Sequence, residues 1–145
     1  MKKKSIVAIF LTVITLSAFQ VQASEPLELK KVMQELSRNM QIITDGISRE
    51  NWKLVAETAP VIAEHPQPPL AEKARIISFM GAEMSRFKAF DMQTHEAAHE
   101  MMHAAHEQNG QRVIDAFQKV QSSCLNCHQA FRASFVKHFY GKSGE

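Results

Sequence analysis

Apolar residues recur every three or four positions along most of this chain, and this spacing constrains the fold more than any other feature. It is the repeat of an α-helix that buries one face. The strict alternation of apolar and polar residues that indicates β-strands is absent. Glycine, which weakens helices, occurs only 5 times in 145 residues. The sequence therefore predicts an all-α protein.

The spacing divides the chain into four long amphipathic helices, here named A to D. Helix A runs from near Pro26 to near Gly46, and Ser48 is the predicted N-cap of helix B. Helix C covers residues 82–108 and helix D covers 111–139, with "QNG" between them. The apolar stripes of A and D are Leu29, Met33, Leu36, Met40, Ile43 and Ile47, and Val113, Phe117, Val120, Cys124, Cys127 and Phe131.

The connection between helices B and C is predicted to be the longest. "HPQPP" at 65–69 ends helix B, and a short helix at 70–80 follows. Pro60 is expected to kink helix B, and Gly81 to bend the chain before helix C. Short A–B and C–D turns with one longer link favour an antiparallel four-helix bundle with a B–C crossover.

Residues 1–23 have the pattern of a secretory signal peptide. Three lysines precede an apolar segment at 6–19, and "VQA" stands before a predicted cleavage after Ala23. The segment is short for a bilayer span of about 20 residues, so stable membrane insertion is not expected. We therefore predict a signal peptide at 1–23, one four-helix domain at 24–145, and export to the periplasm of a Gram-negative bacterium.

The charge of the chain argues against nucleic acid as a partner. The formal charge is +2, and it falls to −1 when the three lysines of the leader are removed. The remaining chain has no excess of basic residues that could bind a phosphate backbone.

Both cysteines, Cys124 and Cys127, lie in "CLNCH", which ends in His128. A thioredoxin-type thiol pair follows a strand in a βαβ setting, and no strand is predicted here. A zinc site needs further ligands, and the nearest histidine-rich segment lies on another helix. The favoured interpretation is C-x-x-C-H, the attachment signature of one covalent haem c. Cysteines three residues apart share a helix face, and the adjacent imidazole can ligate the iron.

"CLNCHQAFR" near the end of an exported helical chain resembles the class II c-type cytochromes, which include cytochrome c-prime and its low-spin relatives. In helix A, "LKKVMQELSRNMQII" is similar to the soluble four-helix cytochrome b of the periplasm, whose axial methionine falls on Met33. The resemblance implies a one-electron carrier that meets redox partner proteins, and not an enzyme. It also implies that Phe131 packs on the haem and that Arg132 serves a propionate. Relatives often form homodimers through helices A and B.

Met33 separates two versions of this function. If Met33 and His128 both ligate iron, the haem is six-coordinate and exchanges electrons. If Met33 only fills the core, the iron is five-coordinate and binds small gases such as NO or CO. Many relatives place an arginine one turn earlier, against a propionate. Leu29 stands there in this chain, so Lys30 or Lys31 is the candidate substitute.

Helix C carries four histidines in "HEAAHEMMHAAHE", namely His95, His99, His103 and His106. They flank the predicted core stripe and are expected to face water. Imidazoles four residues apart can chelate a divalent transition metal, which would suit a metal-handling protein. The alternatives are an ordinary solvated face, a pH-sensitive contact surface or a subunit interface. No ligand from a third helix is identified, so a catalytic metal is not expected.

Overall fold

A computed structural model describes residues 27–141, and every regular element in this range is helical. The six α-helices are α1 Leu29–Ser48, α2 Trp52–Ala63, α3 Leu70–Met80, α4 Met84–His106, α5 Gly110–Cys127 and α6 Ala133–Tyr140. This confirms the predicted all-α class. None of the helices in the described range is long and apolar enough to cross a membrane. The predicted signal peptide lies outside the described residues.

The helices form a bundle in which α4 packs against both α2 and α5, while α1 packs mainly on α2. The buried face of α4 is rich in alanine, with Ala98, Ala104 and Ala105 almost fully buried. Small side chains let neighbouring helices approach closely. These alanines belong to a core, here called the first core, that is built by α1, α2, α4 and α5. Its larger buried side chains are Ile43, Val55, Ile62, Met101, Val113 and Val120. Full burial of each such side chain contributes about 1.5–3 kcal/mol.

A second core is built around three phenylalanines that follow the cysteine motif. Phe131, Phe135 and Phe139 are buried together with Leu27, Ile76 and Met80. The Phe135 and Phe139 rings have centroids 5.0 Å apart. This core joins α3 and α6 to the entry of α1, where the N–H of Glu28 donates to the buried carboxylate of Glu72.

The helix ends differ from the prediction at one cap. Ser48 is the last residue of α1, and its hydroxyl donates to the Thr44 carbonyl at 2.8 Å. Asn51 caps α2 instead, since its side-chain oxygen accepts from the Leu54 N–H at 3.1 Å. The helix continues through Pro60 to its end at Ala63.

At Gly81, where a bend is predicted, the α-helix is interrupted. A 3-10 turn, Gly81–Glu83, separates α3 from α4. Gly81 has φ +50°, in the left-handed region that residues with a Cβ rarely adopt. The 3-10 turn therefore separates two α-helices without an intervening loop.

Predicted helix D is continuous from 110 to 140, but it contains a π-helical turn at His128–Arg132 between α5 and α6. A π-helical turn holds more residues than an α-helical turn, so it changes the angular position of the side chains that follow. Phe131 lies within this turn, Phe135 and Phe139 follow it, and all three are buried. Such turns are frequent at functional sites.

Candidate cofactor-binding site

A cavity of about 570 Å³ lies where α1, α4 and the helix at 110–140 meet. Its volume is within the range of about 300–1,000 Å³ that is typical of ligand pockets. Six of the predicted site residues line it, although they come from distant parts of the chain: Met33, Cys124, Cys127, His128, Phe131 and Arg132. Most of the remaining wall is apolar or aromatic, including Leu29, Leu36, Phe87, Phe90, Phe135 and Val136.

Cys124 and Cys127 stand at the boundary between the two cores. Both are free and half-buried, Cys124 against the first core and Cys127 against the second. Burial raises the pKa of the Cys124 thiol, and it raises the pKa of Cys127 to about 11. Both thiols are therefore protonated at neutral pH. A thiol–disulfide couple requires an accessible thiolate with a lowered pKa, so these surroundings do not suit one.

His128 is the first residue of the π-helical turn and lines the cavity beside the cysteines. His128 is exposed at the cavity wall, and its partial desolvation there lowers the pKa of the imidazole, which the nearby Arg132 guanidinium lowers further. The neutral ring keeps a lone pair, which is the form of histidine that ligates metals.

Met33 lines the same cavity from α1, but its side chain is 38% exposed. The stripe pattern predicted a more enclosed position, and the buried residue at this level is Val32. Adjacent residues on a helix point about 100° apart, so Met33 lies beside the core and not in it. Met40 packs against the first core.

The cavity wall distinguishes between the two lysines that could replace the missing arginine. Lys30 lines the cavity, and its Nζ lies 5.7 Å from the centroid of the Tyr140 ring. Lys31 is exposed and forms an ion pair with Glu28 at 2.7 Å. Lys30 and Arg132 are therefore the lysine and arginine side chains on the cavity wall.

Phe131 belongs to an aromatic group on the cavity wall. Its ring centroid lies 5.8 Å from that of Phe87 and 6.2 Å from that of Phe90. The Arg86 guanidinium lies 5.6 Å from the Phe131 centroid and 5.7 Å from the Phe90 centroid. The predicted position of Phe131 at the site is consistent with this arrangement.

Polar cavity residues that the sequence did not single out come from α1, from α4 and from the link between α2 and α3; they are Gln34, Ser37, His65, Asp91 and Thr94. His65 Nε2 lies 3.1 Å from Asp91 Oδ1, and the Thr94 and Ser123 hydroxyls are 2.7 Å apart. The hydrogen bond to Asp91 raises the pKa of His65, although burial opposes the shift. The prolines of "HPQPP" predicted only a connection between helices. No local sequence pattern could pair His65 with Asp91, because the two residues are 26 positions apart.

The four histidines of α4 do not share one environment. His95, His103 and His106 are exposed, as expected, whereas His99 is half-buried. His95 Nδ1 lies 2.7 Å from the Ala63 carbonyl oxygen at the end of α2. Among residues 27–141, no group of three or more His, Cys, Asp or Glu side chains is arranged to hold a metal ion.

The donor set of the cavity fits a covalently held haem. Two thiols lie three residues apart, an imidazole follows directly, and a thioether from α1 lines the same largely apolar cavity. Comparison with known proteins found no matching family model, curated protein or solved structure.

Proposed function

We propose that this chain is an exported monohaem c-type cytochrome of the class II kind, which carries single electrons between redox partner proteins. The observation that supports this is the meeting of Met33, Cys124, Cys127 and His128 in one cavity. Cys124 and Cys127 would hold the haem by thioether bonds, and His128 and Met33 would ligate its iron. When bound, the haem supplies one-electron exchange between ferric and ferrous iron.

The remaining wall suits the task of an electron carrier. Phe87, Phe90 and Phe131 exclude water, and a water-poor shell tunes the reduction potential of a metal centre. Lys30 and Arg132 provide charges that attract the carboxylates of a propionate-bearing cofactor. A thioether ligand from Met33 would raise the potential further. If Met33 and His128 both ligated the iron, no ligand position would remain for a substrate, so we do not assign an enzymatic activity.

The connections between the helices support an antiparallel bundle. Residues 49–51 join α1 to α2, and residues 107–109 join α4 to α5, while the longer link from 64 to 83 contains α3. Short connections favour antiparallel neighbours.

We further propose that residues 1–23 direct the chain to the periplasm, where covalent haem attachment takes place. Nucleic acid and stable membrane insertion are not part of this function, and a homodimer would use α1 and α2.

Optical spectra of the purified mature protein in both oxidation states test the proposal. We expect low-spin spectra and haem that stays with the protein on acid–acetone extraction. Cys124→Ala with Cys127→Ala should abolish covalent attachment and reduce stability. Leu125→Ala is the control, since this motif residue is 55% exposed and should keep its haem.

Two results would change the assignment. Haem that extracts from the wild-type protein, or covalent haem that persists in the double variant, would refute attachment at this motif. High-spin wild-type protein that binds carbon monoxide rapidly would replace the electron carrier with the gas-binding alternative.

A further inference from the structure

A hydrogen bond to the carboxyl end of α2 orients one histidine of α4. His95 Nδ1 lies 2.7 Å from the carbonyl oxygen of Ala63, the last residue of α2. Carbonyls in the last turn of a helix lack partners within the helix and accept from outside groups. A carbonyl oxygen can only accept, so the His95 Nδ1–H donates. In the neutral ring the lone pair then belongs to Nε2.

The next histidine along this face lies beside His95. The ring centroids of His95 and His99 are 4.6 Å apart, with the planes at 80°. Imidazoles bind transition metals through nitrogen at about 2.0–2.1 Å, so two rings at neighbouring positions of one metal have centroids about 4.5–5 Å apart. The observed separation of 4.6 Å is within this range.

The hydrogen bond to Ala63 has a further consequence for metal binding. Metal-ligating histidines usually donate the other ring N–H to a carbonyl or carboxylate, which fixes the tautomer and makes the ligand more basic. His95 already has this arrangement. Within residues 27–141, no such bond orients His103 or His106. The nearby Glu100 is engaged with Lys119 at 2.7 Å.

We propose that His95 and His99 form a binding site for one divalent transition-metal ion, outside the haem cavity. The site is a two-imidazole chelate whose remaining positions are filled by water, because no third protein ligand is in place. Among divalent ions of the first transition row, Cu²⁺ binds such nitrogen ligands most strongly. This proposal does not depend on the haem assignment.

Titration of the mature untagged protein with Cu²⁺, followed by calorimetry and by electron paramagnetic resonance, tests the site. We expect one ion per chain, with a signal that shows two coordinated imidazole nitrogens. His95→Ala or His99→Asn should weaken binding by about tenfold or more, since even outer-shell changes cost 10–100-fold. His99→Asn leaves the contact between His95 and Ala63 intact, so its effect does not depend on loss of that contact.

The matched control is the double variant His103→Ala with His106→Ala, which removes two histidines from the same helix. Its affinity should stay within about twofold of the wild type. Equal affinity in the wild type and His99→Asn, or an equal loss in the control, would overturn the proposal. The haem spectrum of each variant is recorded separately, so failure of the metal site is distinguishable from failure of the cytochrome assignment.

Discussion

Met33 and Met40 both lie on α1, but their thioether groups have different surroundings. Met33 lines the cavity, whereas Met40 packs against the first core. Flexible methionine side chains commonly fill core gaps, which is sufficient to explain Met40. Only Met33 shares a cavity with the imidazole of His128. Position relative to the cavity, and not residue type, makes Met33 the candidate ligand.

Met33→Ala should open one axial position of the haem. The ferrous protein should become high-spin and bind carbon monoxide quickly, while the wild type binds it slowly. Because Met33 is 38% exposed, its lost packing should cost less than the roughly 2–5 kcal/mol of a buried Met→Ala change. Rapid-mixing spectroscopy with carbon monoxide measures the change.

Met40→Ala is the control for loss of a methionine from α1. It should lower the free energy of unfolding but leave the haem spectrum and the carbon monoxide rate unchanged. If Met33→Ala also left both unchanged, Met33 would be a packing residue only.

The link between α2 and α3 is tied to α4 by one charged contact. His65 Nε2 lies 3.1 Å from Asp91 Oδ1, and His65 Nδ1 lies 3.3 Å from the Pro66 carbonyl oxygen. The hydrogen bond to Asp91 raises the pKa of His65 above its ordinary 6.5. The folded state therefore favours protonated His65. The resulting stability is fully present below about pH 6.5 and is lost as pH rises through the folded-state pKa.

Asp91→Asn should thus lower the free energy of unfolding more at pH 5.5 than at pH 8.5. We expect a difference of at most about 1 kcal/mol, because Asp91 is half-exposed and such pairs contribute little. Urea unfolding at both pH values measures it. In a His65→Gln background, Asp91→Asn should have the same effect at both pH values. A pH-dependent difference that survives in that background would assign the effect to another group.

The whole bundle consists of two cores with the cavity between them. The first core consists of fully buried residues of α1, α2, α4 and α5, such as Ile43, Ile62 and Met101. The second core borders the cavity, and its partly buried neighbours include Phe87 and Cys127. A covalently held cofactor would therefore support the second core more than the first.

Hydrogen exchange should show this difference. In the variant with Cys124→Ala and Cys127→Ala, protection should fall most in residues 70–92 and 127–140, while 97–105 and 113–120 stay protected. Few buried contacts and adjacent open space lower the local free energy of opening. Mass spectrometry of the wild type, the variant and Leu125→Ala measures it. A uniform loss across both cores would mean that the bundle opens as one unit.

Much of the helical architecture could be predicted from the sequence because helix formation depends on nearby residues. The apolar spacing located the four long helices, and Gly81 located a break, since both act within a turn or two. The predicted N-cap of α2, Ser48, was wrong because serine and asparagine are both good N-cap residues and Asn51 takes this position. The choice depends on where α1 ends. The chemistry of the cysteine motif was also local, since Cys124, Cys127 and His128 lie within five consecutive residues.

Contacts between distant segments were decided only by the tertiary structure. The placement of Met33, His128 and Lys30 on one cavity wall, and the contact of His95 with Ala63, depend on how the helices pack. His65 and Asp91 are 26 residues apart, and each is an ordinary surface residue when the sequence is considered alone. Side-chain chemistry and periodicity are properties of short segments, whereas a cavity is a property of the space between helices. The sequence by itself therefore determined the helices and the reactive groups, and packing decided which of those groups share a site.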